Sequence, residues 1–583
     1  MASSADKSRQ ARLDAETGTL RKRWPGHVHV ALVYPHHYAV GMANLGFQSV
    51  YRLLNDLPQV LCERAFLPEA EQQSTVPLSL ESGRKLTEFD WVAFSIAFEN
   101  DYANVLTILH QAGLPLPSAL RGAPLPLVLA GGAACFLNPE PLAPFVDAFI
   151  LGEAEAVLAR FFQTFDPQAD RRDFLLHAAR DVPGVYVPAL YDADYAADGT
   201  LAAFKPNADI PDRVRRVTAP EPADSATQSV IVTPHTSFED AHLIEVSRGC
   251  PRGCRFCAAG YIYRPPRMRP LALLESAMAF GAGRTGKIGL MGTAVSDLPD
   301  LKTLCAIGRA RDLQLSFSSL RADTLDAELV EALKSGRLKT ATIAPETGSE
   351  RMRRVINKGL TEEQILNAVE MLVAGGIPHL KLYFMVGLPT ETEDDVVELI
   401  GLVKKIKHRF LSASRPRGRM GEIVVSLNCF VPKPATPFQW APMEEVAALK
   451  RKIRKVADGL KKTANVRVQA DVPRWAHIQA LLSRGDRRVA DLLALAHRHQ
   501  GNWPQTFKMS PLNASFYVHR QRTEDELLPW DFIDHGFPKT FLWKEYRLAL
   551  EARLSKPCPM EPSRCRLCGV CGPLQSETQP AEG

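Results

Sequence analysis

The 583-residue chain is 46% apolar and 23% charged with a net charge of +5, ordinary globular composition that allows about two to four domains and excludes a disordered or collagen-like chain. A charge this mild does not argue for nucleic acid by itself, and no apolar run reaches membrane length, since 125–137 is broken by Pro126 and the Gly131–Gly132 pair. Eleven cysteines, seven of them in two tight groups, with no leading apolar segment, point to metal binding in a reducing cytoplasm rather than to disulfides.

Residues 1–26 are polar and read as a mobile tail. Over 27–190, apolar runs of strand length (28–35, 60–67, 91–98, 125–132, 146–153) alternate with helical patterns, which predicts a doubly wound α/β domain with a parallel sheet covered on both faces. Such folds bind ligands beyond the carboxyl ends of their strands. Those ends carry His36–His37, Ser95–Ile96, Gly131–Gly132 and Gly152–Glu153.

Residues 191–240, rich in Ala, Asp, Pro and Thr, read as an extended connector with a short strand at 230–233. A second series fills 241–440, with strands predicted at 242–246, 287–291, 314–317, 339–344, 379–386 and 422–427 and helices between them. Successive right-handed βα units give a parallel, partly closed barrel, a partial (β/α)6, with its chemistry at the C-terminal strand ends. The first strand runs into SRGCPRGCRFC, which spaces Cys250, Cys254 and Cys257 as C-x3-C-x2-C. Three thiolates on a short glycine-containing loop converge on one inorganic centre. They suit a [4Fe–4S] cluster with one iron left open, whereas closed zinc needs a fourth Cys or His, and neither stands between 258 and 297.

This loop resembles the cluster loop of radical S-adenosylmethionine (SAM) enzymes, and its surroundings resemble the subgroup with an N-terminal cobalamin-binding-like domain, over about 28–571. The resemblance implies that the open iron chelates SAM, that an injected electron cleaves it to a 5′-deoxyadenosyl radical, and that an electron donor such as flavodoxin or ferredoxin is a partner. It also implies a ligand pocket. Phe256 would pack beside the ligand, and Gly292 and Thr293 in LMGTAVSD stand where many relatives have GGE, with Thr293 or Asp297 replacing the acid. Ser319 and Arg321 in SFSSLRAD would hold the ligand carboxylate, Arg321 through its bidentate fork. Glu346 in IAPETGSERMRRVINKG would face the site, and Gly387 in YFMVGLPTET would let backbone approach the adenine. The Gly131–Gly132 pair and LGEAE are in the style of the cobalamin-binding-like domain. Many such modules place the cobalt-ligating His three residues before a Gly, but YPHHYAVG sets His37 four before Gly41. One residue of shift moves a loop ligand by about 3.5 Å, against a metal-bond tolerance of about 0.2 Å. Histidine ligation from this loop is therefore not expected, and cobalamin binding stays open.

Residues 441–557 read as a mostly helical accessory region. Its aromatics Trp530, Phe532, Phe537, Phe541, Trp543 and Tyr546 fit a packed core better than a base-stacking surface. The tail, 558–583, carries Cys558, Cys565, Cys568 and Cys571. Two successive C-x2-C steps are a strong metal signal, for either structural zinc or a second iron–sulfur cluster. The substrate and the net reaction, methyl transfer, sulfur transfer or another, are not written in these motifs. A rival reading is an RNA-binding metalloprotein without radical catalysis, and RNA as the substrate bridges the two. The basic stretches 404–419 and 450–462 permit RNA contacts, though solvated helix faces explain them as well.

Overall fold

The computed structural model describes residues 4–69, 76–219, 226–318, 320–335, 338–418, 420–560 and 565–572. The first half is built on β1 (Val28–Tyr34), β2 (Val60–Phe66), β3 (Trp91–Ser95), β4 (Leu127–Gly131), β5 (Ala148–Ile150) and β6 (Val185–Tyr186), in spatial order β2-β1-β3-β4-β5-β6. All neighbours are parallel except β5 and β6. Every residue of β2 is buried, and β1 is buried except at His29, as near-continuous apolar strands covered on both faces require. The strand order reverses between β1 and β3, which opens a crevice at their carboxyl ends.

The N-terminal segment differs from the expected mobile tail. Helix α1 (Ser4–Asp14) buries Leu13, and Thr17 bridges to Val232. Glu16 forms a fully buried ion pair with Arg64 at 2.7 Å, and Arg64 also holds Glu81 at 2.7 Å. A charge buried that deeply needs its partner fixed, so residue 16 cannot wander. The pairing spans almost fifty positions of sequence, and local polarity conceals it.

The connector also contains more structure than predicted. An antiparallel hairpin, β7 (Tyr191–Tyr195) and β8 (Leu201–Pro206), turns at Asp198–Gly199, with Gly199 at φ +86°. Tyr191 and Phe204 stack in it, and Phe204 stacks on Phe532 at 4.6 Å. Val214–Arg215 pairs with Ile533–Asp534. The segment 230–233 holds an isolated bridge at Val232 rather than a strand.

The second half places β9 (His242–Glu245), β10 (Lys287–Met291) and β11 (Gln314–Phe317) in one parallel sheet, and β12 (Thr340–Glu346), β13 (His379–Val386), β14 (Ile423–Cys429) and β15 (Val466–Ala470) in another. A parallel bridge, Leu320 to Ile343, joins the two. The barrel arc therefore has seven strands: the six expected and, as the seventh, the short strand that the mixed segment 466–469 could add. β15 is short, alternates Val with Arg and Gln and is largely exposed, so it gives a weak pattern, yet it completes the edge beside β14. The aromatics of the accessory region are core: Trp530, Phe532, Phe537 and Tyr546 are buried, and Phe541 and Trp543 pack against them. Among the described residues no helix is long and apolar enough to cross a membrane.

Candidate functional site

A cavity of about 470 Å³ lies between the carboxyl ends of the first sheet and the mouth of the barrel. That size suits an organic ligand or cofactor. Ser95, Gly131, Gly132 and Gly152 line it from the first half, and Ser247, Gly249, Gly292 and Thr293 from the second. The strand ends singled out from sequence thus converge, except at β1. His36 and His37 do not line the cavity, and no histidine does among the described residues. His37 instead caps a short helix, with Nδ1 3.3 Å from Glu69. Gly132, at φ +106°, admits no side chain, because a Cβ there would stand 2.4 Å from the Ile96 carbonyl.

Arg248, at the start of the cysteine loop, ties the two halves together across the cavity rim. Its guanidinium reaches Glu153 at 3.0 Å and Glu155 at 2.8 Å in the first half, and Glu245 at 2.9 Å in the barrel. Burial pushes Glu153 up, but Arg267 and Arg248 outweigh it and hold the carboxyl below its ordinary range.

The loop itself is pinned from several sides. Ser247–Arg248 pairs antiparallel with Arg267–Met268, and Gly249 at φ +79° makes the turn with no room for a Cβ, which would sit 2.4 Å from the Tyr263 carbonyl. Arg255 is fully buried and donates to the carbonyls of Arg354 and Val355 at 3.0 Å and to Glu545 at 3.1 Å. Asn357 donates to the Gly253 carbonyl at 3.0 Å. Burial, then the neighbouring Cys254, pushes the Cys250 thiol up to about 12, and burial followed by Cys254 pushes Cys257 up to about 11, with Lys358 opposing. Thiols crowded in this way stay protonated until a metal centre displaces the protons. That donor set fits an iron–sulfur cluster. Ser247 Oγ, buried and without a hydrogen-bond partner, adds an uncommitted polar atom at the cavity wall.

The remaining predicted positions fall unevenly. Phe256 is half-buried against the core. Thr293 donates its hydroxyl to the Gly249 carbonyl, and a Cβ on Gly292 would meet Ser247 Oγ at 2.5 Å. Asp297 accepts two bonds from Arg252, at 2.8 and 3.0 Å. The Arg321 fork is taken by Asp323, at 2.9 and 2.8 Å. Ser319 lies outside the described residues. Glu346 sits at a β-bulge with φ +69° and pairs with Lys358 at 3.0 Å, both side chains about one-tenth exposed. Gly387, at φ +84°, would place a Cβ 2.5 Å from Leu449, and its N–H donates to Glu391 at 2.7 Å. Helix packing, rather than ligand approach, accounts for that glycine.

Arg252, Asn357 and Lys358 were not foreseen. Lys358 interacts electrostatically with Cys254 and Cys257, and it closes the same IAPETGSERMRRVINKG run that carries Glu346. Cys565 and Cys568 are buried, Cys558 and Cys571 half-buried, and these four interact electrostatically. No three His, Cys, Asp or Glu side chains among the described residues converge as ligands of a single ion. The basic runs are partly committed: Lys405 pairs with Glu362, Arg409 with Glu370, Lys452 with Glu391 and Lys455 with Glu393.

Comparison with known proteins gives consistent matches. Residues 46–188 match the model described as "Radical SAM proteins, N-terminal", and 244–403 the one described as "Radical SAM superfamily". An uncharacterized protein of Methanocaldococcus jannaschii is 32% identical over 470 residues, 80% of this chain and 90% of that one. A tRNA-2-methylthio-N(6)-dimethylallyladenosine synthase of Pseudothermotoga lettingae is 28% identical over 209 residues, 33% of this chain and 47% of the synthase, so the match spans about half of that enzyme. Among solved structures, the radical SAM methyltransferase TsrM of Kitasatospora setae, with cobalamin and [4Fe–4S] bound, aligns over 69% of this chain and 75% of its own, at 14% identity and a TM-score of 0.45.

Proposed function

Because the chain belongs to the radical SAM superfamily, we propose that it is a group-transfer enzyme, moving a methyl group or sulfur onto a substrate held in the cavity between its halves. The superfamily uses [4Fe–4S] and SAM, and when bound these supply a 5′-deoxyadenosyl radical. Cys250, Cys254 and Cys257 hold the cluster, and the loop is fixed by Arg255, Asn357 and the Glu346–Lys358 pair. Phe256, Gly292, Thr293, Glu346 and Arg321 form the SAM pocket. Arg321 serves there only by releasing Asp323. The apolar, glycine-rich wall of the first half excludes water and shapes the substrate side.

One observation carries this reading: the same cavity is walled by the start of the cysteine loop, Ser247 to Gly249, and by the strand ends of the first sheet. A substrate there sits against the loop. The residues do not offer cobalamin a histidine from the β1 loop, and no step is assigned to that cofactor. An acidic one-electron carrier of the flavodoxin or ferredoxin class supplies the reductant. The rival RNA-binding metalloprotein gains little from basic runs already paired with acids or from aromatics packed into the core.

The test is anaerobic reconstitution followed by reduction with SAM. Wild type is expected to release 5′-deoxyadenosine and Cys254→Ala to lose at least a hundredfold. Unchanged release by the Cys250→Ala/Cys254→Ala/Cys257→Ala protein refutes the assignment.

A further inference from the structure

The C-terminal cysteines are attached to the catalytic loop. Cys558 donates its backbone N–H to the carbonyl of Pro251, the residue after Cys250, at 2.7 Å. Covalent dimensions alone then hold the Cα atoms of Cys250 and Cys558 within about 11 Å. Ser555 donates its N–H to Asn357 Oδ1 at 2.9 Å and its hydroxyl to Glu545 at 2.6 Å, and accepts from Arg255 at 2.7 Å. Asn357 and Arg255 are the residues that pin the loop. Arg264, buried just beyond the loop, interacts electrostatically with Cys568 and Cys558.

The donor set is complete. Four thiols interact with one another, Cys565 and Cys568 are 4% exposed, and Gly569 at φ +90° lets the chain wrap between the last pair. Four thiolates suit either a single zinc or a four-iron cluster. Place favours the cluster: Cys558 is one hydrogen bond from the Cys250 loop, where an electron is needed.

We propose that Cys558, Cys565, Cys568 and Cys571 hold a second four-iron cluster that passes electrons to the one on the Cys250 loop. The inference rests on the radical SAM reading of that loop. One electron from a reduced flavodoxin or ferredoxin lowers the tail cluster by one oxidation unit. It then moves to the loop cluster, which restores the tail cluster; no bond changes partner and no proton moves. The Arg264 cation favours the reduced form. Exposed Lys556 and Arg566 stand within two residues of Cys558 and Cys565 in the chain and suit an acidic carrier.

Full-length protein reconstituted without oxygen should contain about eight irons per chain, and Cys565→Ser/Cys568→Ser about four. Release of 5′-deoxyadenosine by the double variant should fall at least tenfold with reduced flavodoxin and stay within twofold with dithionite. Arg264→Gln should keep about eight irons and shift the midpoint potential of one electron paramagnetic resonance signal to more negative values. Zinc at the tail with about four irons in wild type overturns the second cluster. Equal loss with both reductants, or an unmoved potential in Arg264→Gln, overturns the relay. Cys254→Ala separates the two readings: it should keep the tail irons while losing SAM cleavage, and loss of all iron in that variant counts against the tail cluster alone.

Discussion

The two α/β halves meet at one cavity but bring different things to it. The barrel half brings Glu245, Arg248, Thr293 and the start of the cysteine loop to it, whereas the first half brings glycines, apolar side chains such as Phe94 and Phe136 and the carboxylates of Glu153 and Glu155, with no histidine among the described residues. The difference teaches a division of labour within one topology. Strand ends of a parallel sheet point at a ligand site; in the proposed function the half that carries the cysteine loop performs the chemistry, and the other shapes and dries the space. Arg248 is the joint, sharing carboxylates from both sides.

The comparison breaks most severely at Lys358. Replacing it with Met leaves Glu346 buried and unpaired, which costs about 3–5 kcal/mol. The denaturant midpoint should fall accordingly, and Lys358→Met/Glu346→Gln should recover part of the loss. A midpoint shared by wild type and the single variant would mean that the pair is not buried.

In the first half, Gly132→Ala forces an alanine to φ +106° against the Ile96 carbonyl. It should cost about 1–3 kcal/mol in thermal stability without changing iron per chain. Iron loss in this variant would show that the two halves are not separable in role. The smallest effect belongs to His37→Ala, whose partly exposed contact with Glu69 is worth less than about 1 kcal/mol. Absorbance of the protein titrated with hydroxocobalamin should be the same for the variant and wild type; a spectral difference would restore the histidine as a cobalt ligand.

Much of this was legible in the sequence because apolar strands punctuated by glycine report their own position. β10, β11 and β13 fall where the pattern puts them, and the cysteine spacing announced the loop. What stayed hidden depends on distant partners. Glu16 in a polar segment finds Arg64, and Asn357 reaches Gly253 a hundred residues back. The β7–β8 hairpin carried a readable Asp198–Gly199 turn, but its alternating small and polar residues resemble a linker until Phe532 arrives to stack on Phe204. Arg321 shows the reverse: its type suits a carboxylate clamp, but Asp323, two residues on, is the carboxylate that it holds.

The most direct test of the account is whether the loop cluster has an open iron. In the Cys565→Ser/Cys568→Ser protein, reduced without oxygen, electron paramagnetic resonance should show a single cluster signal whose g-values change when SAM is added. A cluster signal indifferent to SAM would contradict the assignment of Cys250, Cys254 and Cys257 as a three-thiolate site.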